Sequence, residues 1–205
     1  MSAPGAWAPA DLDGPALLER AVGYTRGSLR LVGAVDPRTP TPCAGWDLLT
    51  LLQHMDDSLA AFTEAADVGY VDLVPVRDET GSLPRADALA ARLLVDRLRQ
   101  RACALLAAWA HHPGDRTLQV ADRDVRSGVL AAAGSLEIAV HGWDVARACG
   151  EDRPVPSRLA LELLEVLPLV VAPDDRPARF GVPVEVPRHA GPGTRLLAAL
   201  GRADG

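Results

Sequence analysis

Apolar residues recur at three- and four-residue spacing through most of the chain, which is the pattern of amphipathic helices. Leu17, Leu18, Ala21, Val22, Leu29 and Val32 predict a first helix, capped by Asp13 with Pro15 in its first turn. A turn-rich link with Pro37, Pro40 and Pro42 follows. Asp47 can cap a second helix whose stripe is Leu48, Leu51, Leu52, Met55, Leu59 and Phe62, running to about Ala66. Residues 67–84 lose the helical period and read as a long connection. A third helix is expected from about Arg85 to Trp109, with Leu89, Leu93, Leu94, Leu98, Leu105 and Leu106 inward, ended by His111-His112-Pro113-Gly114. Weak alternation from Thr117 to Arg126 predicts a short hairpin or an extended crossing.

The next helix, about Ser127 to Cys149, carries Leu130, Ala133, Glu137, Val140, His141, Asp144 and Ala148 on one side and stops at Gly150. Another runs from Pro156 to about Val171, with a possible kink at Pro168. After a turn at Pro173–Pro177, the prolines of Phe180 to Pro187 confine that extended segment to an edge. Thr194 to Leu200 forms a short final helix. The expected architecture is mainly α, a four-helix bundle with a short extended C-terminal tail. Residues 1–12 form a loose lead-in, 13–172 the bundle, and 173–205 a tail packed on it.

Glu137 and His141 stand one helical turn apart, so their Cβ atoms lie roughly 5–6 Å from each other on one face. An inward Glu needs a partner. Bundles build metal sites from inward Glu and His on facing helices. His54, on the flank of the second helix's stripe, is the best third ligand by position and by elimination, since His111, His112 and His189 fall in turns or the tail. Two imidazoles and one carboxylate leave an open coordination position, the pattern of catalytic zinc and of non-haem iron. A buried Glu–His ion pair accounts for the spacing equally well. Asp144, one turn beyond His141, can orient an imidazole N–H or bond to backbone. Trp46 and Trp143 read as core or pocket walls.

Composition narrows the function classes. The chain has 205 residues, enough for one domain with a real core. Its 48% hydrophobic content makes it globular, and no apolar run reaches membrane-span length. Without a signal-peptide pattern at the N-terminus, a cytoplasmic location is expected. The net charge of −6 argues against nucleic acid as a partner. All 21 basic residues are Arg, so lysine Schiff-base chemistry is excluded. The bias toward Ala, Arg, Gly and Pro suggests a high-GC genome such as that of an actinobacterium. Cys43, Cys103 and Cys149 are scattered and read as reduced thiols packed as small hydrophobes.

Two stretches resemble a known family. Thr41-Pro42-Cys43-Ala44-Gly45-Trp46-Asp47, with His54 seven residues on, and Glu137-Ile138-Ala139-Val140-His141-Gly142-Trp143-Asp144 look like the two signatures of the DinB-like mycothiol-dependent maleylpyruvate isomerases. The ending, Phe180-Gly181-Val182-Pro183-Val184 through Arg195 to Arg202, is similar to a short actinobacterial subgroup. The resemblance implies a DinB-like four-helix bundle in which His54, Glu137 and His141 hold a divalent ion, usually zinc. It also implies a low-molecular-weight thiol such as mycothiol as cofactor or co-substrate. The isomerase that names the family has a further C-terminal domain at its site, whereas about 25 residues follow Phe180 here. The expectation is that the metal core carries over and the named isomerisation does not.

Three functions compete on these grounds. One is S-transfer to, or thiol-assisted isomerisation of, a small electrophile by a monomer or homodimer. Another is a metal-dependent lyase, cyclase or non-haem Fe(II) enzyme of specialised metabolism. The third is a non-catalytic binding module with a degenerate site, which a wide separation of His54 from Glu137 would favour.

Overall fold

A computed structural model describes residues 13–71, 88–177 and 179–202. Four helices make the bundle: α1 (Gly14–Ser28), α2 (Leu48–Val68), α3 (Ala88–His111) and α4 (Ser127–Ala148). Two more, α5 (Ser157–Val170) and α6 (Pro192–Ala199), follow it. Between the bundle helices lies a small sheet of β1 (Tyr70–Val71), β2 (Thr117–Val120) and β3 (Arg123–Arg126), with β1 parallel to β2 and β2 antiparallel to β3. The fold is mostly helical, and the expected hairpin is present. Among the described residues no helix is long and apolar enough to cross a membrane.

The expected caps hold. Asp13 accepts from the Ala16 N–H at 3.0 Å and Asp47 from the Thr50 N–H at 2.8 Å, starting α1 and α2. His111 bonds the Ala107 carbonyl at the end of α3. The start of α4 is capped from outside its own sequence. Asp115, before β2, accepts from the Gly128 N–H at 3.4 Å and from the Ser127 hydroxyl at 3.2 Å. A carboxylate there also complements the helix dipole.

Several expectations are corrected. The first helix ends at Ser28, and residues 32–34 form a separate single turn. Leu89 and Leu93 are exposed, at 64% and 62%, because the buried face of α3 is carried by Ala91, Leu94, Val95, Leu98, Ala102 and Leu105. On a 100° wheel Leu89 and Leu93 fall on the opposite side. Residues 72–87 of the long connection, with its expected helix start, lie outside the described residues, as does the lead-in 1–12. Phe180 to Pro187 joins no sheet; it lies along α6, where the Val184 N–H bonds the Ala198 carbonyl at 2.9 Å. Cys103 is exposed, while Cys43 and Cys149 are half-buried. Burial pushes the Cys149 thiol up to about 11, so it is an inert thiol.

The helix carrying Glu137 and His141 is buried far more completely than a one-sided stripe implies. In α4, 17 of 22 residues are buried, so it is the central helix rather than an amphipathic wall. Small side chains make this possible. At Gly142 an added Cβ would lie 3.0 Å from Thr25 Cβ and 3.1 Å from Thr25 Cα. The two backbones approach so closely that the Thr25 hydroxyl donates to the Ile138 carbonyl at 2.7 Å. The α2–α3 seam is tied differently: Asp56, 2% exposed, pairs with Arg101 at 2.7 Å and Arg97 at 3.0 Å.

The α1–α4 contact therefore tolerates no side chain at position 142. Gly142→Ala is expected to destabilise the protein by about 1–3 kcal/mol through overpacking, read as a lower urea midpoint at unchanged m-value.

Candidate metal centre

Three elements converge on His141. The loop before α2 folds back on itself: the Thr41 N–H bonds the Trp46 carbonyl at 3.0 Å, the Leu48 N–H bonds Thr39, and the Leu49 N–H bonds Pro37. This holds Cys43 and Trp46 over the bundle end. The Trp46 ring lies 4.8 Å from the His54 ring and 6.2 Å from the His141 ring, walling the site. The second element is α2, whose His54 ring lies 5.0 Å from that of His141, and the third is the C-terminal segment, which contributes Arg202.

The structure brings His54, Glu137 and His141 together. Their nearest donor atoms all lie within 4.8 Å of one another. His54 Nε2 is 2.6 Å and His141 Nε2 3.2 Å from the same Glu137 Oε1. The Ser58 hydroxyl, one turn along α2 from His54, donates to that oxygen at 3.2 Å. Ligand bonds of about 2.0–2.1 Å in a tetrahedron put neighbouring donors roughly 3.3 Å apart. The His141–Glu137 pair already has that spacing, and His54 sits closer because it bonds Glu137 directly. The donor set and its spacing fit a divalent ion of the zinc type. The site deepens from His54, whose side chain is 37% exposed, to His141 at 9%.

His141 is held on both edges. Its Nδ1 bonds Asp144 Oδ2 at 2.9 Å, which leaves Nε2 facing Glu137 and His54. Asp144 has no exposure, and Arg202 covers it with Nε to Oδ1 at 2.9 Å and Nη2 to Oδ2 at 2.8 Å. The Cys43 thiol donates to Asp144 Oδ2 at 3.2 Å and lies 3.8 Å from His141 Nδ1. Cys43, His141 and Asp144 form a second three-donor group, but the Arg202 guanidinium already supplies its cation and Nδ1 is already engaged. Only the first group presents free donor capacity outward.

Sequence reasoning missed three of these residues. Ser58 had a local signal, since it stands four residues from His54 on the same helix. Cys43 reads from the sequence as a thiol packed like a small hydrophobe, yet it sits against His141 and Asp144 because the loop folds back. Arg202 had no local signal at all. An apolar cavity among α1, α2, α3 and α4 also ends at Glu137, with Val22, Met55, Leu59 and Leu98 in its wall and the exposed Arg26 at its rim.

The charges are interlocked. Burial alone would raise Glu137, but His141 and His54 outweigh it and hold the carboxyl well below its ordinary 4.5. Burial would depress His141, but Glu137, Asp144 and Cys43 hold it well above its ordinary 6.5. Asp144 is likewise pushed up by burial and held below 3.8 by His141 and Arg202. A raised histidine stabilises the fold fully below its ordinary value and loses that contribution as pH rises through its folded value. The lowered carboxylates stabilise fully above their ordinary values and lose it as pH falls through their folded ones. In chelator, the stability gap between wild type and Glu137→Gln/His141→Gln is therefore expected to be widest between pH 4.5 and 6.5 and to shrink on both sides. Chemical denaturation across pH measures it; a gap still widening above pH 8 would contradict the arrangement.

No solved structure matches the chain. Two uncharacterized proteins of Mycobacterium tuberculosis, from strains CDC 1551 / Oshkosh and H37Rv, are each 27% identical over 167 residues, covering 80% of this chain and 83% of theirs. Residues 18–146, which span the bundle and all three of His54, Glu137 and His141, match the family model described as the mycothiol maleylpyruvate isomerase N-terminal domain, and the chain belongs to that family.

Proposed function

We propose that this protein is a cytoplasmic divalent-metal enzyme that uses a low-molecular-weight thiol of the mycothiol kind on a small electrophile. His54, Glu137 and His141 hold the ion, most naturally zinc given two nitrogen donors and one oxygen. The observation that carries the reading is the convergence of these three donors on one point, with the far nitrogen of His141 engaged by Asp144. A bound zinc ion holds a thiol as its nucleophilic thiolate at neutral pH.

The chain's own residues supply the rest. Asp144 accepts a hydrogen bond from His141 Nδ1–H and so keeps Nε2 turned toward the ion. Ser58 fixes the Glu137 oxygen that both histidines share. Trp46 limits access of water from one side. S-transfer and reversible addition to a conjugated double bond both fit these roles, and the family membership favours thiol chemistry over oxidative use of the same ligands.

Elemental analysis of freshly purified protein is expected to find about one zinc-like ion per chain, falling to background in His141→Ala and His54→Ala. The metal-loaded wild type is expected to consume mycothiol in the presence of an electrophile such as a maleyl compound or a haloaromatic. Absence of stoichiometric metal, or turnover that is indifferent to thiol, would overturn the proposal. Loading must also remove the proton that His141 carries against Glu137. Calorimetry in two buffers of different ionisation enthalpy is therefore expected to show proton release at pH 7, with affinity rising as pH rises.

A further inference from the structure

Among the described residues the C-terminal segment reaches the site through one side chain, and its local construction is directed to that contact. Arg176 donates to the carbonyls of Gly181 and Ala199, at 2.7 Å for the latter, clamping the two ends of the segment together. Gly201, at φ +79°, turns the chain out of α6. A Cβ there would stand 2.5 Å from Gly181 Cα, so the two backbones touch and position 201 admits only glycine. The next residue is Arg202. Its side chain, 12% exposed, spans from the Cys43 thiol (3.5 Å) to both oxygens of Asp144.

A fully buried carboxylate paired with an arginine is weak evidence of stabilisation, because desolvation offsets most of the attraction. The pair is better explained by what Asp144 does next. Its Oδ2 is the acceptor for His141 Nδ1. Arg202 places that oxygen and engages its partner oxygen as well. We infer that Arg202 is a positioning residue for the metal centre: acting through Asp144, it orients His141, so that metal binding and docking of the C-terminal segment stabilise each other.

This inference rests on the metal reading of His54, Glu137 and His141. Coupling of this kind is reciprocal by necessity. Removing Arg202 weakens the ion, and adding the ion tightens the segment. Replacing a group that orients a metal-bound histidine typically lowers affinity by ~10–100-fold, and Arg202, one step further out, is expected to give about tenfold.

The test uses the full chain and Zn2+ in competition with a chromophoric chelator, with affinity normalised to folded protein by circular dichroism. Arg202→Gln is expected to weaken Zn2+ binding about tenfold, and Arg202→Lys, which restores the charge without the paired contact, to recover part of it. Arg179→Gln is the control. It lies in the same segment but, among the described residues, pairs with Asp175 at the surface, so it is expected to leave affinity unchanged. Hydrogen exchange on wild type supplies a readout that needs no variant. Zn2+ is expected to slow exchange of the Leu200, Gly201 and Arg202 amides, which bond the carbonyls of Leu197 and Ala198. If wild type binds Zn2+ while Arg202→Gln binds equally well, or if Zn2+ leaves those amides unaffected, the inference fails and the metal reading stands. If wild type binds no Zn2+, both fail.

Discussion

An imidazole clamped between two carboxylates is the interaction on which the site depends. His141 meets Glu137 on one ring nitrogen and Asp144 on the other, inside a helix with almost no exposed surface. None of these groups is tolerable there alone. Each carboxylate needs a cation and the histidine needs both carboxylates, so their charges are mutually conditional. A histidine that ligates a metal almost always has its other ring nitrogen held in this way, and the holder is often a carboxylate.

The packing exists to make that clamp possible. Position 142, directly after His141, must be glycine for α1 to approach, and Thr25 crosses the gap to bond the α4 backbone. The small side chains of α4 allow neighbours on every side, and this is why its polar residues face other helices rather than water. The external cap from Asp115 and the fold-back of the Thr41–Trp46 loop serve the same end, since both set where α4 and α2 begin relative to each other.

The bundle helices were legible in the sequence because periodicity and capping are local. Asp13, Asp47, the hairpin and the His111 end all stand where the pattern put them. Where the reading went wrong, the error lay in judging a helix face without its neighbours. Leu89 and Leu93 are leucines at helical spacing, but the face opposite α2 is marked by Ala91, Leu94, Leu98 and Leu105. The prolines of Phe180 to Pro187 rightly excluded a central strand, but nothing in them said that the segment would lie on α6 instead of a sheet edge.

By itself the sequence determined that Glu137, His141 and Asp144 share one helix, because residues three and four apart on a helix must be neighbours. It also marked His54 as the imidazole able to join them from a second helix. Only the tertiary structure decided that His54 and His141 meet on one oxygen of Glu137, that Cys43 lies against Asp144, and that Arg202, 58 residues further on, closes the network. Those contacts depend on how closely backbones approach, at Gly142 against Thr25 and at Gly201 against Gly181. Approach distance is a property of paired surfaces, and no single stretch of chain encodes it.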